Sequence, residues 1–247
     1  MNAKTNFSPA RLVAWCMMLL GMGSLPAAAE ESDKTHIAVL TRYEVKEAYQ
    51  EAFRDALKNY VALALLNGHN MMAEAYAEQD QPSVLWVVER WNNQAGFEGN
   101  AELPPSKAID LLAENALSKP AERTYLRDLE PVSRKQWRTA ANPADRPLTI
   151  MLFVDAKSGT EQRFRDVYHQ AMPKFRSEPG VINYQLSQFA DDSTRFVTYE
   201  RFRNEAAFQY HLNFPPIQPV IDYLNTSIRK QPFQTGLHRL VAIPAAQ

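Results

Sequence analysis

Cysteine is almost absent from this chain of 247 residues. Its one cysteine, Cys16, lies inside an apolar run near the start, so the remaining chain has no thiol for a disulfide, a nucleophile or a thiolate metal site. Glycine is also scarce, with eight residues, and no G-x-G-x-x-G or P-loop run occurs. No two histidines or carboxylates have a metal-ligand spacing such as H-x-x-x-H. The sequence therefore predicts neither a nucleotide cradle nor a metal site.

The start of the chain has the pattern of a secretory signal peptide over residues 1–29. Lys4 and Arg11 precede an apolar run from Leu12 to Met22, and three alanines stand directly before Glu30. The run is too short to span a bilayer, although a retained anchor is the alternative. An exported chain without disulfides is predicted to be periplasmic or secreted, with no membrane contact after cleavage.

Blocks of basic residues are missing too. After cleavage, 25 basic and 28 acidic residues leave a formal charge of −3. The sequence therefore predicts no binding to nucleic acid or to an anionic membrane surface.

An internal repeat dominates what is present. The segment 200–216 aligns with 89–105 at an offset of 111 residues, and seven of the seventeen positions are identical. The same offset relates Phe53-Arg-Asp55 to Phe164-Arg-Asp166. A constant offset over this distance indicates one unit present twice.

Each copy has the pattern of a strand, a helix, two strands, a helix and a strand. The fold class predicted is α+β: two ferredoxin-like βαββαβ units packed sheet to sheet. The first unit covers 36–130 and the second 148–243, and the proline-containing stretch 131–147 is predicted to be a surface linker. Any ligand cavity is expected between a sheet and its own helices.

The second unit resembles the antibiotic biosynthesis monooxygenase (ABM) domain. The residues that carry the resemblance are Tyr199-Glu200, Phe202, Ala206-Ala207-Phe208, His211, the prolines that follow, and Glu178-Pro-Gly180 before Tyr184. It covers 147–243, and extends more loosely to 36–131 through the repeat. It implies a pseudo-dimeric α+β barrel, and oxidation of a small quinol-like or phenolic aromatic compound by dioxygen without a cofactor.

The chain departs from the family pattern at several positions. Phe214 and Pro216 stand where the family often has a serine and a second histidine, and Asn100 stands in the first unit where His211 stands in the second. Chemistry is therefore expected in the second unit. The tandem units could cover each other's exposed sheet faces within one chain, or they could pair with a second chain as a homodimer.

The resemblance makes His211 the candidate general base, because imidazole accepts protons near neutral pH. The alternative is a buried, hydrogen-bonded structural histidine. Asn183 is a candidate amide donor to a developing oxyanion. Tyr184, Tyr199, Phe208 and Phe202 are candidate substrate-binding residues, with ordinary core packing as the alternative.

Two functions from different classes remain open on the sequence. One is an exported, cofactor-independent monooxygenase. The other is a non-catalytic protein that holds a hydrophobic ligand or haem in the same cavity. A purely partner-binding barrel is a third interpretation.

Overall fold

The computed structural model describes residues 36–230 and 236–246. The predicted signal peptide lies outside these residues. Within them, no helix combines the length and the apolar character needed to cross a membrane.

The first unit contains four strands and three helices. Its strands are β1 (Ile37–Glu44), β2 (Asn70–Glu78), β3 (Val84–Trp91) and β4 (Glu122–Asp128), and its helices are α1 (Gln50–Leu66), α2 (Gln94–Ala101) and α3 (Pro104–Ala116). A short helix α4 (Arg134–Trp137) lies in the linker.

The second unit repeats the order. Its strands are β5 (Leu148–Asp155), β6 (Val181–Phe189), β7 (Arg195–Phe202) and β8 (Leu237–Ile243), and its helices are α5 (Glu161–Arg176), α6 (Glu205–Leu212) and α7 (Gln218–Thr226). Prolines start a 3₁₀ turn at Pro215–Ile217 between α6 and α7, because proline fits the first turn of a helix better than its interior.

The eight strands form one closed barrel in the order β1-β3-β2-β8-β5-β7-β6-β4. Two antiparallel seams join the units. One seam pairs β2 with β8 from Ala75 to Glu78, and the other pairs β4 with β6 from Leu126 to Asp128. The predicted α+β barrel of two ferredoxin-like units is confirmed, with the units joined along their strand edges as well as through their inner faces.

Alternation along the strands divides the core into three layers. One inner cluster fills the barrel and includes Leu40, Met151 and Tyr199. Two outer clusters lie between each sheet half and its own helices, around Phe53 in the first unit and Phe164 in the second. Successive residues of a strand point to opposite faces, so each buried strand serves both an inner and an outer layer.

The duplication is visible in the strand register. β2 and β3 pair with an irregularity between Asn70 and Met72, and β6 and β7 pair with the same irregularity between Val181 and Asn183. These positions differ by 111 residues, the offset of the sequence repeat. A bulge re-aims side chains near a strand end, so both units present equivalent positions to their helices.

Both units also have a close contact between a turn and a helix. The glycine of this contact is on the helix in the first unit and on the turn in the second. A Cβ on Gly96 of α2 would lie 2.4 Å from the Cβ of His69, and a Cβ on Gly180 would lie 2.2 Å from the Cβ of Ala207 on α6. His69 and Gly180 occupy equivalent positions, as do Gly96 and Ala207. Each unit therefore needs one glycine at this contact, on either element.

The linker 131–147 lies mostly at the surface, but one of its residues is buried. Trp137, at the end of α4, is 2% exposed and packs with the inner cluster. A capping box at Ser133 starts the helix, and the Arg138 side chain donates to the carbonyl oxygens of Asn70 and Met71. The linker prolines and charges predicted a solvated segment, but the apolar area of one indole favours burial against the barrel.

Candidate functional site

His211 lies in the last turn of α6, directly over the outer face of the second sheet half. The Asn204 side chain caps this helix by accepting a hydrogen bond from the Ala207 backbone nitrogen at 2.9 Å. The contact between Ala207 and Gly180 holds the helix against the turn before β6. The imidazole is consequently buried, with 2% of its side chain exposed.

Glu178 holds the imidazole in place. Its Oε1 lies 2.8 Å from His211 Nδ1, and 1% of the Glu178 side chain is exposed. The turn that carries Glu178 is itself fixed, because the Glu178 nitrogen donates to the Phe175 carbonyl and the Val181 nitrogen donates to the Glu178 carbonyl. In the sequence, Glu178 stands out only as part of the Glu178-Pro-Gly180 motif. The geometry adds Glu178 as the partner of the histidine.

Aromatic rings surround the imidazole on its remaining sides. The ring centroids of Phe175, Tyr184 and Phe202 lie 4.8, 5.2 and 5.3 Å from that of His211. Phe208 packs on Phe202 at 5.3 Å. Three of the predicted substrate-binding residues, Tyr184, Phe202 and Phe208, are thus brought together with His211.

A second carboxyl group, Glu200, is buried beside the imidazole. It pairs across the sheet with Tyr184. Burial raises the pKa of Glu200, and the nearby His211 opposes that shift. Burial and the Glu200 carboxyl also raise the pKa of Tyr184, so its phenol stays protonated at neutral pH.

A small cavity lies beside these groups, between the sheet and helices α6 and α7, where the sequence predicted a cavity. We call it the imidazole cavity. Its volume is about 30 Å³, and its lining includes Tyr184, Glu200, Phe208 and His211. A site of this size holds one or two water-sized molecules, so dioxygen fits and an aromatic ring does not without movement of the cover. That cover is 215–226, the 3₁₀ turn and α7.

Tyr199 and Asn183 do not join this group, contrary to the expectation that Tyr184 and Tyr199 share one pocket. Period-2 alternation places both on the inner face of the barrel. The Tyr199 hydroxyl bonds to Tyr76 at 2.7 Å and also donates to Glu74. Asn183 accepts from Arg201 at 3.2 Å and donates to the Gln136 carbonyl. The sheet thus separates these two residues from His211.

A larger cavity of about 470 Å³ lies on the other side of the sheet, at the seam between β2 and β8. We call it the seam cavity. Glu74, Tyr76, Arg138 and Arg201 supply polar groups to its wall, and most of its exposed lining is apolar. Nothing in the sequence indicated it, because it forms where distant segments of both units and the linker meet.

The equivalent place in the first unit has a different set of buried polar groups. Asn100 is fully buried where His211 would be, and neither polar atom of its side chain makes a well-formed hydrogen bond to the described residues. Glu89, the counterpart of Glu200, accepts a hydrogen bond from the Tyr60 hydroxyl at 2.6 Å. Burial raises the pKa of Glu89 to about 7.

Among residues 36–230 and 236–246, no group of three or more histidine, cysteine, aspartate or glutamate side chains is arranged to hold a metal ion. In the His211–Glu178 pair, one nitrogen of the imidazole faces a carboxylate, an arrangement that general acid–base chemistry can use.

Comparison with known proteins identifies the family. The family described as "Antibiotic biosynthesis monooxygenase" matches residues 36–109 and 147–221, which is more than half of the chain. An uncharacterized protein of Synechocystis is 27% identical over 89 residues, an alignment that covers 36% of this chain and 56% of that relative. The match thus spans about half the length of the curated relative.

Two solved structures share the fold along nearly the whole chain. A candidate monooxygenase from Lactobacillus acidophilus has a TM-score of 0.71 at 13% identity, covering 86% of this chain and 97% of its own. A candidate monooxygenase from Fusobacterium nucleatum has the same TM-score and identity, covering 85% of this chain and 93% of its own. At this identity the likeness concerns the fold alone. With both halves matched by one family and the barrel in place, the chain belongs to the antibiotic biosynthesis monooxygenase family as a tandem member.

Proposed function

We propose that this protein is an exported, cofactor-independent monooxygenase that oxidises a small quinol-like or phenolic aromatic compound with His211 as the base. One observation carries the proposal: a buried imidazole, bonded through Nδ1 to a carboxylate, lies at the wall of a small and largely apolar cavity. The family membership supports oxygenase chemistry in general.

The tautomer follows from the pair. An ionised Glu178 accepts the proton of His211 Nδ1, which leaves Nε2 with a lone pair. The carboxylate also stabilises the imidazolium that forms when Nε2 takes a proton from the substrate. His211 is therefore both oriented and prepared to act as a general base.

The chemistry balances without a bound cofactor. Deprotonation of the substrate by His211 gives an electron-rich anion that passes one electron to dioxygen. The resulting radical pair combines at carbon, and the peroxide anion takes the proton back from the His211 imidazolium to give a hydroperoxide. Loss of water then leaves a carbonyl, so the substrate gives up two hydrogens and gains one oxygen atom while the other oxygen leaves as water. The substrate supplies all the electrons.

The apolar surroundings serve this sequence of steps. Tyr184, Phe202 and Phe208 offer aromatic surface to a flat substrate, and the absence of bulk water protects the anion and the radical pair. Asn183 and Tyr199 are left out of the proposed site because they lie on the opposite face of the sheet. Substrate entry requires the cover, 215–226, to move away from the sheet.

Oxygen uptake by the mature protein with a panel of hydroquinones and phenols tests the proposal. Mass spectrometry with ¹⁸O₂ should find one labelled oxygen in the product. His211→Ala should lower turnover by roughly 10²- to 10⁴-fold, the usual contribution of a positioned base. Asn100→Ala, the matched change in the first unit, should leave it within about twofold. Equal rates for wild type and His211→Ala would remove the base.

The alternative, a non-catalytic haem or hydrophobic-ligand site at the imidazole, has a separate readout. Titration with haemin should produce no Soret shift that depends on His211, because a macrocycle needs a far larger opening of the roughly 30 Å³ cavity than a single aromatic ring does. A His211-dependent Soret band without oxygen uptake would replace the monooxygenase proposal with this one. Export is tested by fractionation, which should find the mature chain outside the cytoplasm.

A further inference from the structure

The seam cavity is a second site that the proposed chemistry does not use. It lies where β8 ends and the β2–β8 pairing stops at Ala75, so residues 72–74 of β2 extend past the neighbouring strand. Its volume of about 470 Å³ falls within the range of small-molecule pockets. The imidazole cavity, at about 30 Å³, is much smaller.

The cavity has an apolar side. Val61 and Leu65 from α1, Met72 from β2 and Ile243 from β8 line it. Trp137 of the linker also contributes to the wall and is held by contact with the Tyr199 ring at 5.9 Å. Such a wall favours a ligand with a compact apolar or aromatic body.

The polar side has one acidic and two basic groups. Glu74 is already engaged: it accepts hydrogen bonds from Tyr76, Tyr199 and Arg201. The Arg201 charge is thereby neutralised by Glu74 at 2.8 Å. In the Arg201 guanidinium, Nη1 donates to Glu74 and to Asn183. Nε and Nη2 donate to none of the residues that the structure describes.

Arg138 is not neutralised in this way. Its guanidinium donates to the carbonyl oxygens of Met71 and Asn70 and to the Asn70 side chain, and it forms no salt bridge with any carboxylate among the described residues. Burial and the nearby Arg134 lower the pKa of Arg138, as expected for a cation without a counter-charge. The polar side of the cavity therefore carries a net positive charge.

We propose that the seam cavity binds a small amphipathic carboxylate, with the carboxylate at Arg138 and Arg201 and the apolar body against α1, β2 and β8. Arginine is suited to carboxylates because its planar donors match the two oxygens. The site is distinct from the imidazole cavity, since the sheet separates the two.

Calorimetric titration of the mature protein with 1-naphthoate tests the proposal, with 1-naphthalenemethanol as the uncharged match. The acid should bind at least tenfold more tightly than the alcohol. Arg138→Gln should weaken the acid about tenfold, which corresponds to about 1.4 kcal/mol, and leave the alcohol within twofold.

Two control variants test whether binding occurs in the seam cavity and through Arg138 itself. Arg134→Gln removes a neighbouring positive charge, at the start of α4, without touching the cavity wall, so it should change the affinity by less than twofold. His211→Ala should also leave binding unchanged, because the imidazole lies across the sheet. Equal affinities for acid and alcohol, equal losses in Arg134→Gln and Arg138→Gln, or loss in His211→Ala would each overturn the proposal.

Discussion

The two units of this barrel have the same strands, the same register and the same bulge, yet they bury different polar groups. Both keep a glutamate at the equivalent strand position, Glu89 and Glu200. Only the second unit adds an imidazole with its own carboxylate, His211 and Glu178, where the first has Asn100. The shared glutamate therefore belongs to the framework of both halves, and the pair that distinguishes them is the feature to test for chemistry.

The largest expected effect is a difference between the two seams in the free energy of unfolding that is lost when an ion pair is broken. Arg90 and Asp128 form an ion pair at the β4–β6 seam with 3% and 8% of their side chains exposed, whereas Arg201 and Glu74 at the other seam are 14% and 27% exposed. Asp128→Ala leaves a buried arginine without its partner and should cost about 3–5 kcal/mol of unfolding free energy. Glu74→Ala should cost less, because water reaches Arg201. Urea unfolding of both variants measures this, and equal losses would contradict it.

Glu89 should make the stability of the first unit depend on pH. Its folded pKa of about 7 lies above the ordinary 4.5, so the native state holds the proton longer than the unfolded chain. Stability should therefore fall as pH rises from about 4.5 through 7, by up to about 3 kcal/mol. Glu89→Gln should flatten this fall and be more stable than wild type at pH 8.

Glu200→Gln is the matched control in the second unit. Burial also raises the pKa of Glu200, but His211 opposes the shift, so this variant should flatten the pH dependence less. Thermal unfolding of both variants across pH 4 to 9 measures this. If stability fell with pH as steeply in Glu89→Gln as in wild type, Glu89 would not be the cause of the pH dependence.

The glycine exchange at the turn–helix contact predicts a reciprocal rescue. Gly180→Ala should destabilise the fold by about 1–3 kcal/mol, because its Cβ would lie 2.2 Å from that of Ala207. Adding Ala207→Gly should restore part of that loss, since the double variant has the arrangement of the first unit. A double-mutant cycle by urea unfolding checks it, and purely additive losses would show that the contact is not the cause.

The smallest expected effect concerns the orientation of the imidazole. Glu178→Gln keeps a hydrogen-bond acceptor for His211 Nδ1 but removes the charge that stabilises the imidazolium, so turnover should fall about tenfold with little change in KM. In the wild type, ¹⁵N NMR should place the neutral imidazole proton on Nδ1. Glu89→Gln should leave turnover unchanged. A fall of similar size in both variants would indicate a general loss of structure.

Much of the fold followed from the sequence because its signals are local. The offset of 111 residues indicated the duplication, and the pattern within each copy indicated the order of its strands and helices. His211 and Phe208 lie three residues apart in one helix, a spacing that places both on one face, and both are buried. Apart from the repeat, these features depend on neighbours within one element.

The remainder depends on contacts between distant segments. The alternation that placed Tyr184 outward also placed Tyr199 inward, but that consequence required the register of β6 against β7. The burial of Trp137 and the cavity beside it require the linker to fold back on the barrel, which no local pattern encodes. In the sequence Glu178 was visible only as part of the Glu178-Pro-Gly180 motif, because its partner lies 33 residues away in the chain.

The ring of eight strands has a consequence for how such a site can change over time. In a barrel assembled from two identical chains, every substitution appears twice, and both halves must tolerate it. Here the order β1-β3-β2-β8-β5-β7-β6-β4 is completed within a single polypeptide, so each half can vary alone. One half could therefore lose its imidazole, or acquire an unmatched arginine such as Arg138, while the other kept its own chemistry.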